Sequence, residues 1–142
     1  MGNFKDDEEF YGVYEVFLKR VLSDPDVGPK LAKAKIRIRF NYTEPEASIF
    51  LNLADQPPEG MFGSYALRDT ESKADVTMTQ TAEVANRFWQ GKLNPVMGLA
   101  SGKIKASGQV QRAMGLVTAI RPTFKMYVDV LKEMGHEDKV VA

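Results

Sequence analysis

The chain has 142 residues, 44% hydrophobic and 27% charged, which suits one domain with a buried core and leaves little room for a second. Its 19 basic and 19 acidic side chains cancel, so no global field draws it to nucleic acid or to an anionic membrane; such contact needs a local patch. There is no cysteine, which excludes disulfides, thiolate metal sites and cysteine nucleophiles, and the single histidine, His136 in the polar tail, removes histidine-rich metal sites and argues against a Ser-His-Asp triad.

The opening "MGNFKDDEEF" is acidic and has no apolar signal region, and Asp6 stands where a myristoylation start needs Ser or Thr. No apolar run reaches membrane-spanning length, and the terminal "KVVA" matches no retention or peroxisomal address, so a cytoplasmic protein is expected. From Asp6 to Leu22, Phe10, Val13, Tyr14, Phe17, Leu18 and Val21 recur at helical spacing. Acids open this segment, and Lys19 and Arg20 close it, as the helix dipole favours. "SDPDVGP" then stops the helix.

In "KAKIRIRFNY" the period changes to two: Ile36, Ile38, Phe40 and Tyr42 alternate with Lys35, Arg37, Arg39 and Asn41, a strand with one dry and one basic face. "ASIFLNLA", "MFGSYALR" and "ADVTMTQ" follow as strands between turn signals, which predicts an antiparallel meander. Thr81 is positioned to cap a helix bearing Val84, Ala85, Phe88 and Trp89, ending at Gly91. Asn94-Pro95 starts a short second helix that Gly102 ends, and "KIKASG" reads as a last strand. "QVQRAMGLVTAI" is mostly helical in pattern, with Val110, Met114 and Val117 as its stripe. Pro122 starts a final helix closed by Gly135. Strands cluster first and helices later, an α+β order.

"GLASGKIKASG" invites a phosphate-loop reading, which fails three times. Gly98 to Gly102 encloses three residues instead of four, and Ile104 stands where Ser or Thr would hold magnesium. Gly102 follows a helix and precedes a strand, so carbonyls rather than amides face that junction. A C-terminal helix glycine, a wet strand face at Lys103 and Lys105, and a turn at Gly108 explain the same letters. Asp69, Glu71 and Asp75 share one loop without a sign that they converge for acid-base or metal chemistry. The basic face of Lys35, Arg37 and Arg39 near Tyr42 reads as a solvated sheet surface, so no nucleic acid partner is expected. The second half is rich in large flexible apolar residues, which either fill the core or line an adaptable cavity.

Read together, Ala74-Asp75, Gly91-Lys92-Leu93-Asn94-Pro95, and Ser101-Gly102-Lys103-Ile104-Lys105 up to Gly108 resemble the sterol carrier protein type 2-like lipid-binding family. The likeness is concentrated between Ala74 and Leu116 and extends over about residues 30–120, within one domain of residues 1–142 that carries helical extensions at both ends. Gln109 departs from the family's usual Asn or Asp, and "QRAMGLVTAI" has fewer Lys and Leu than the usual segment.

The resemblance implies a five-stranded, mostly antiparallel sheet with helices covering one face and an apolar tunnel between them. It also implies non-catalytic binding, with possible transfer, of a fatty acid, a fatty acyl-CoA, a sterol or a similar lipid, with no cofactor or metal and at most transient membrane contact. Phe88, Trp89, Met97, Leu99, Ile104, Val110 and Met114 are the expected lining residues. The alternative is an interaction or homodimer module docking through Phe10, Tyr14, Phe17, Tyr127 and Leu131 of the terminal helices.

Overall fold

Asp6 accepts a hydrogen bond from the Glu9 amide at 2.9 Å and so sets the start of the first helix, α1 (Asp7–Ser23), in a computed structural model that describes residues 4–141. Residues 1–3 and 142, part of the segments searched above for targeting signals, lie outside the described residues. The "SDPDVGP" stop ends α1 and also starts something the sequence reading missed. Asp24 takes the amides of Asp26 and Val27, and a short α2 (Val27–Ala32) follows, with Pro29 in the first turn where no backbone donor is needed. A Cβ at Gly28 would overlap the Phe62 ring, so glycine permits this close approach.

The strands are β1 (Arg37–Thr43), β2 (Ala47–Asn52), β3 (Ser64–Leu67), β4 (Val76–Thr81) and β5 (Lys105–Gly108), in the order β3-β2-β1-β4-β5. β1–β2, β2–β3 and β4–β5 are antiparallel; β1–β4 is parallel, with Ile38 beside Val76 and Tyr42 beside Gln80. The sheet is mostly antiparallel, as expected, but the four-strand meander is corrected: the chain leaves β3 at one edge and crosses to the far side of β1.

Local alternation carries no information about which strands pair. Here the pairing is pinned by the strand beginnings, where the Asp75 amide donates to the Arg37 carbonyl and the Arg37 amide donates to the Asp75 carboxylate. The parallel register merges the apolar rows of both strands on one face, where Ile38, Phe40, Tyr42, Ile49, Leu51 and Val76 are buried.

The helices that follow β4 are α3 (Ala82–Trp89), α4 (Pro95–Ser101), α5 (Val110–Met114) and α6 (Arg121–Glu133), before a final 3-10 turn at Glu137–Lys139. Thr81 caps α3 through the Val84 amide, Asn94 caps α4 with Pro95 at its first position, and Gly102 ends α4 in the left-handed region at φ 82°, all as the letters imply. The segment expected to be mostly helical after β5 is regular only in α5. Gly115 and the β-branched Val117, Thr118 and Ile120 favour turns over a continuing helix.

α1 and α6 pack together through rings and one buried hydrogen-bond chain: the Tyr127 hydroxyl donates to Asn86 Oδ1 at 2.7 Å and lies 3.1 Å from the Tyr14 hydroxyl. Phe17 meets Tyr127 and Trp89 edge-on at 5.1 and 5.2 Å between centroids. Asn86 and Gln90 donate to the Lys139 carbonyl, and Lys139 Nζ is buried 3.2 Å from Glu9, which ties the C-terminal segment to α1 and α3. Phe10, Tyr14, Phe17, Tyr127 and Leu131, the docking surface of the alternative reading, are at most 1% exposed: they are the core between the terminal helices.

Candidate functional site

The apolar face of the sheet is not fully filled by the helices above it. A cavity of about 80 Å³ remains, floored by Ile38, Phe40, Leu51 and Met78 of the sheet and flanked by Phe17, Leu18, Val21 and Leu22 of α1. Its other walls come from Phe88 and Trp89 of α3, Pro95 and Leu99 of α4, Ile104 before β5, Ala113 and Met114 of α5, and the turn reaching Ile120. Strand alternation and the α1 stripe produce these walls directly, since they turn every second strand residue and each third or fourth helix residue to the same side.

Polar atoms are sparse here. Gln80, Trp89 and Thr123 are the lining side chains that carry them. Gln80 Oε1 and Trp89 Nε1 are buried near the Tyr42 hydroxyl and close no hydrogen bond of ordinary geometry among the described residues. Burial pushes the Tyr42 phenol well above its usual pKa, so it stays neutral and adds no charge to the cavity's surroundings.

Of the expected lining residues, Phe88, Trp89, Leu99, Ile104 and Met114 are brought together around this space. Met97 is 64% exposed on the outer side of α4, and Val110 is half-buried at the start of α5; neither lines the cavity. The α1 and sheet residues were missed as lining because their periodicity reads equally as core. Gln80 and Ala113 were missed as well. A polar side chain on the dry face of β4, in register with Tyr42, was the available signal for Gln80.

α4 forms the outer wall. The Ile104 amide donates to the Gly98 carbonyl at 3.0 Å, and a Cβ at Gly98 would stand 2.7 Å from Ile104 Cδ1, so this helix is seated closely on Ile104 through a glycine.

Of the charged groups considered above, Asp69, Asp75, Arg37 and Arg39 are held in hydrogen bonds and ion pairs. Asp69 accepts from the Ser72 hydroxyl and amide and from Arg39; these bonds, Ser72's first, hold its carboxyl below the usual range. Arg37 is paired with Asp55 at 2.6 Å and lies 3.9 Å from Asp75. Tyr42 is on the opposite, buried face from these arginines, so the basic strand face with a neighbouring tyrosine does not exist as a surface. Among the described residues no group of three acidic or histidine side chains is placed to hold a metal ion, and no helix is long and apolar enough to cross a membrane.

A family model described as the SCP-2 sterol transfer family matches residues 15–121. No curated protein matches the chain at a significant level. Among solved structures, sterol carrier protein domain 2 of Helicoverpa armigera is 25% identical with a TM-score of 0.61, covering 79% of this chain and 86% of that one. Sterol Carrier Protein 2 from Yarrowia lipolytica in its apo form is 22% identical with a TM-score of 0.58, covering 75% and 86%. Palmitated SCP2L2 from Aedes aegypti is 20% identical with a TM-score of 0.55, covering 77% and 91%.

Proposed function

We propose, from the premise that this chain belongs to the SCP-2 sterol transfer family, that it takes an apolar ligand out of water into the cavity above its sheet and holds it there without chemical change. The class is a fatty acid, a fatty acyl-CoA, a sterol or a similar lipid. The observation that carries the reading is a cavity whose wall is almost wholly aliphatic and aromatic, with Phe88, Trp89, Pro95, Leu99 and Ile104 contributed by the stretch that the family motifs span. The structural likeness to a palmitated relative supports the same class.

Each methylene moved from water into such a wall contributes about 0.8 kcal/mol, so an acyl chain needs few polar contacts to bind. A space of about 80 Å³ is smaller than the usual ligand pocket, and the wall must give to admit a long chain. Met78 and Met114, both lining and both half-buried, are unbranched and repack around different shapes. Phe88, Trp89, Leu99, Ile104 and Met114 are the contacts we assign. The wall offers an amide, an indole and one threonine hydroxyl, without a base or an acid beside them, which supports binding over turnover.

Trp89 is the single tryptophan and stands in the wall, so its emission reports occupancy. Titration with a fatty acid is expected to shift that emission saturably, and native mass spectrometry is expected to show one lipid per chain. Silence in both measurements across fatty acids, acyl-CoA and sterols ends the proposal.

A further inference from the structure

The neutral net charge conceals an uneven distribution. From Val84 to Val128 there is no Asp or Glu, while seven of the 19 basic side chains fall in that stretch. Two of the seven are engaged: Arg112 lies 3.8 Å from Asp75 and Lys125 lies 3.2 Å from Asp129. The other five, Arg87, Lys92, Lys103, Lys105 and Arg121, are exposed and have no acidic partner within 4.0 Å among the described residues.

Lys92 and Lys103 flank α4, the outer wall of the cavity. Lys92 precedes α4, and the Ile104–Gly98 hydrogen bond folds Lys103 back beside its end. Phe124 abuts Gly91, which brings the first turn of α6, with Arg121, against the α3–α4 turn. Between Lys92 and Lys103 in the chain stand Val96 and Met97, 56% and 64% exposed, on the helix whose Pro95 and Leu99 line the cavity. An outward apolar pair on a helix with an exposed lysine before and after it, the same helix that walls an apolar cavity, has the arrangement of an interfacial anchor: apolar side chains enter the acyl boundary while cations meet anionic headgroups.

We propose that this surface docks on an anionic lipid bilayer, with Val96 and Met97 inserted and Lys92 and Lys103 against headgroups, and that ligand enters or leaves the cavity past α4. The route for the ligand rests on the cavity reading above; the docking surface itself does not. Charge complementarity selects the bilayer, since the unpaired groups are cations and the exposed apolar area is two side chains, too small for a stable protein interface.

Flotation with vesicles tests it. Wild-type protein is expected to float with phosphatidylcholine–phosphatidylserine vesicles, to remain behind with phosphatidylcholine alone, and to be released by salt, which screens exposed charges. Removing one cation near an anionic surface lowers partitioning about fivefold, so Lys92→Gln with Lys103→Gln is expected to lose about 25-fold. Val96→Ser with Met97→Ser removes the inserted groups and is expected to lose at least about tenfold. Both variants alter exposed positions and are expected to keep the Trp89 response to a soluble fatty acid.

Equal binding to neutral vesicles, or partitioning indifferent to both pairs of substitutions, overturns the proposal. So does a wild-type dimer that the serine variant converts to monomer without any vesicle binding. Vesicle binding in a protein that never binds fatty acid in solution supports the docking surface and removes the cavity reading.

Discussion

Replacing Ala113 with leucine sets stability against binding. Ala113 is 6% exposed on α5 and lines the cavity, so a leucine there places three further carbons in the space a ligand would use. At about 24 cal/mol per Å³ of void, eliminating all of an 80 Å³ cavity would return about 2 kcal/mol, and leucine fills part of it without harming the helix. The expected change in stability is therefore between zero and about 2 kcal/mol in favour of the folded state. Those three carbons displace a comparable length of ligand chain, worth about 0.8 kcal/mol per methylene, so affinity is expected to fall about 50-fold. Urea unfolding measures the first quantity and Trp89 fluorescence titration the second. An affinity unchanged within about twofold would refute the placement of the ligand. A variant that loses both stability and binding would show that the space is already filled and that the leucine overpacks it.

The Tyr14–Tyr127–Asn86 chain makes Tyr127→Phe costly despite its small change in volume. Tyr14 loses its hydroxyl partner and Asn86 loses a donor, so the urea midpoint is expected to fall by the equivalent of about 1–3 kcal/mol with fatty acid affinity little changed. Alkaline stability follows from the phenols: burial raises the pKa of Tyr14, Tyr42 and Tyr127 above the usual value, and Tyr65 is pushed up to about 12 by burial and by its bond to Glu15. A raised folded-state pKa contributes stability that is complete below the unfolded value near 10 and declines as pH rises beyond it. Ionisation of Tyr14, Tyr42 and Tyr127 is therefore expected to accompany unfolding above about pH 10; their titration in a chain still folded by circular dichroism would contradict their burial. Gly108 adopts φ +88°, and a Cβ there would overlap the Asp75 carbonyl, so Gly108→Ala is expected to cost about 1–3 kcal/mol and to release β5 amides to faster hydrogen exchange. Protection of β5 unchanged in that variant would show that the edge strand does not depend on this turn.

Sequence by itself determined the elements whose causes are local. Thr81, Asn94-Pro95 and Gly102 act within one turn of themselves, so the ends of α3 and α4 were legible. The alternation in β1 depends only on the two-residue period and told which side chains face the core. The rejection of a phosphate loop was equally local, because spacing and helix polarity sufficed. The family was legible too, since its motifs are contiguous letters.

Tertiary structure decided what depends on residues far apart in the chain. β4 lies parallel to β1 because Arg37 and Asp75 exchange hydrogen bonds across the sheet, a pairing that alternation cannot encode. Phe10, Tyr14 and Phe17 could face a partner or the core; α6 supplied the answer by packing Tyr127 and Leu131 against α1. Lining and core residues share one periodicity, so no reading of Ile38, Phe40 or Leu18 alone could say that a void lies beside them. Whether an apolar face ends in packed atoms or in a cavity depends on how completely the opposite helices fill it, and that is settled only when α3, α4 and α5 close over the sheet.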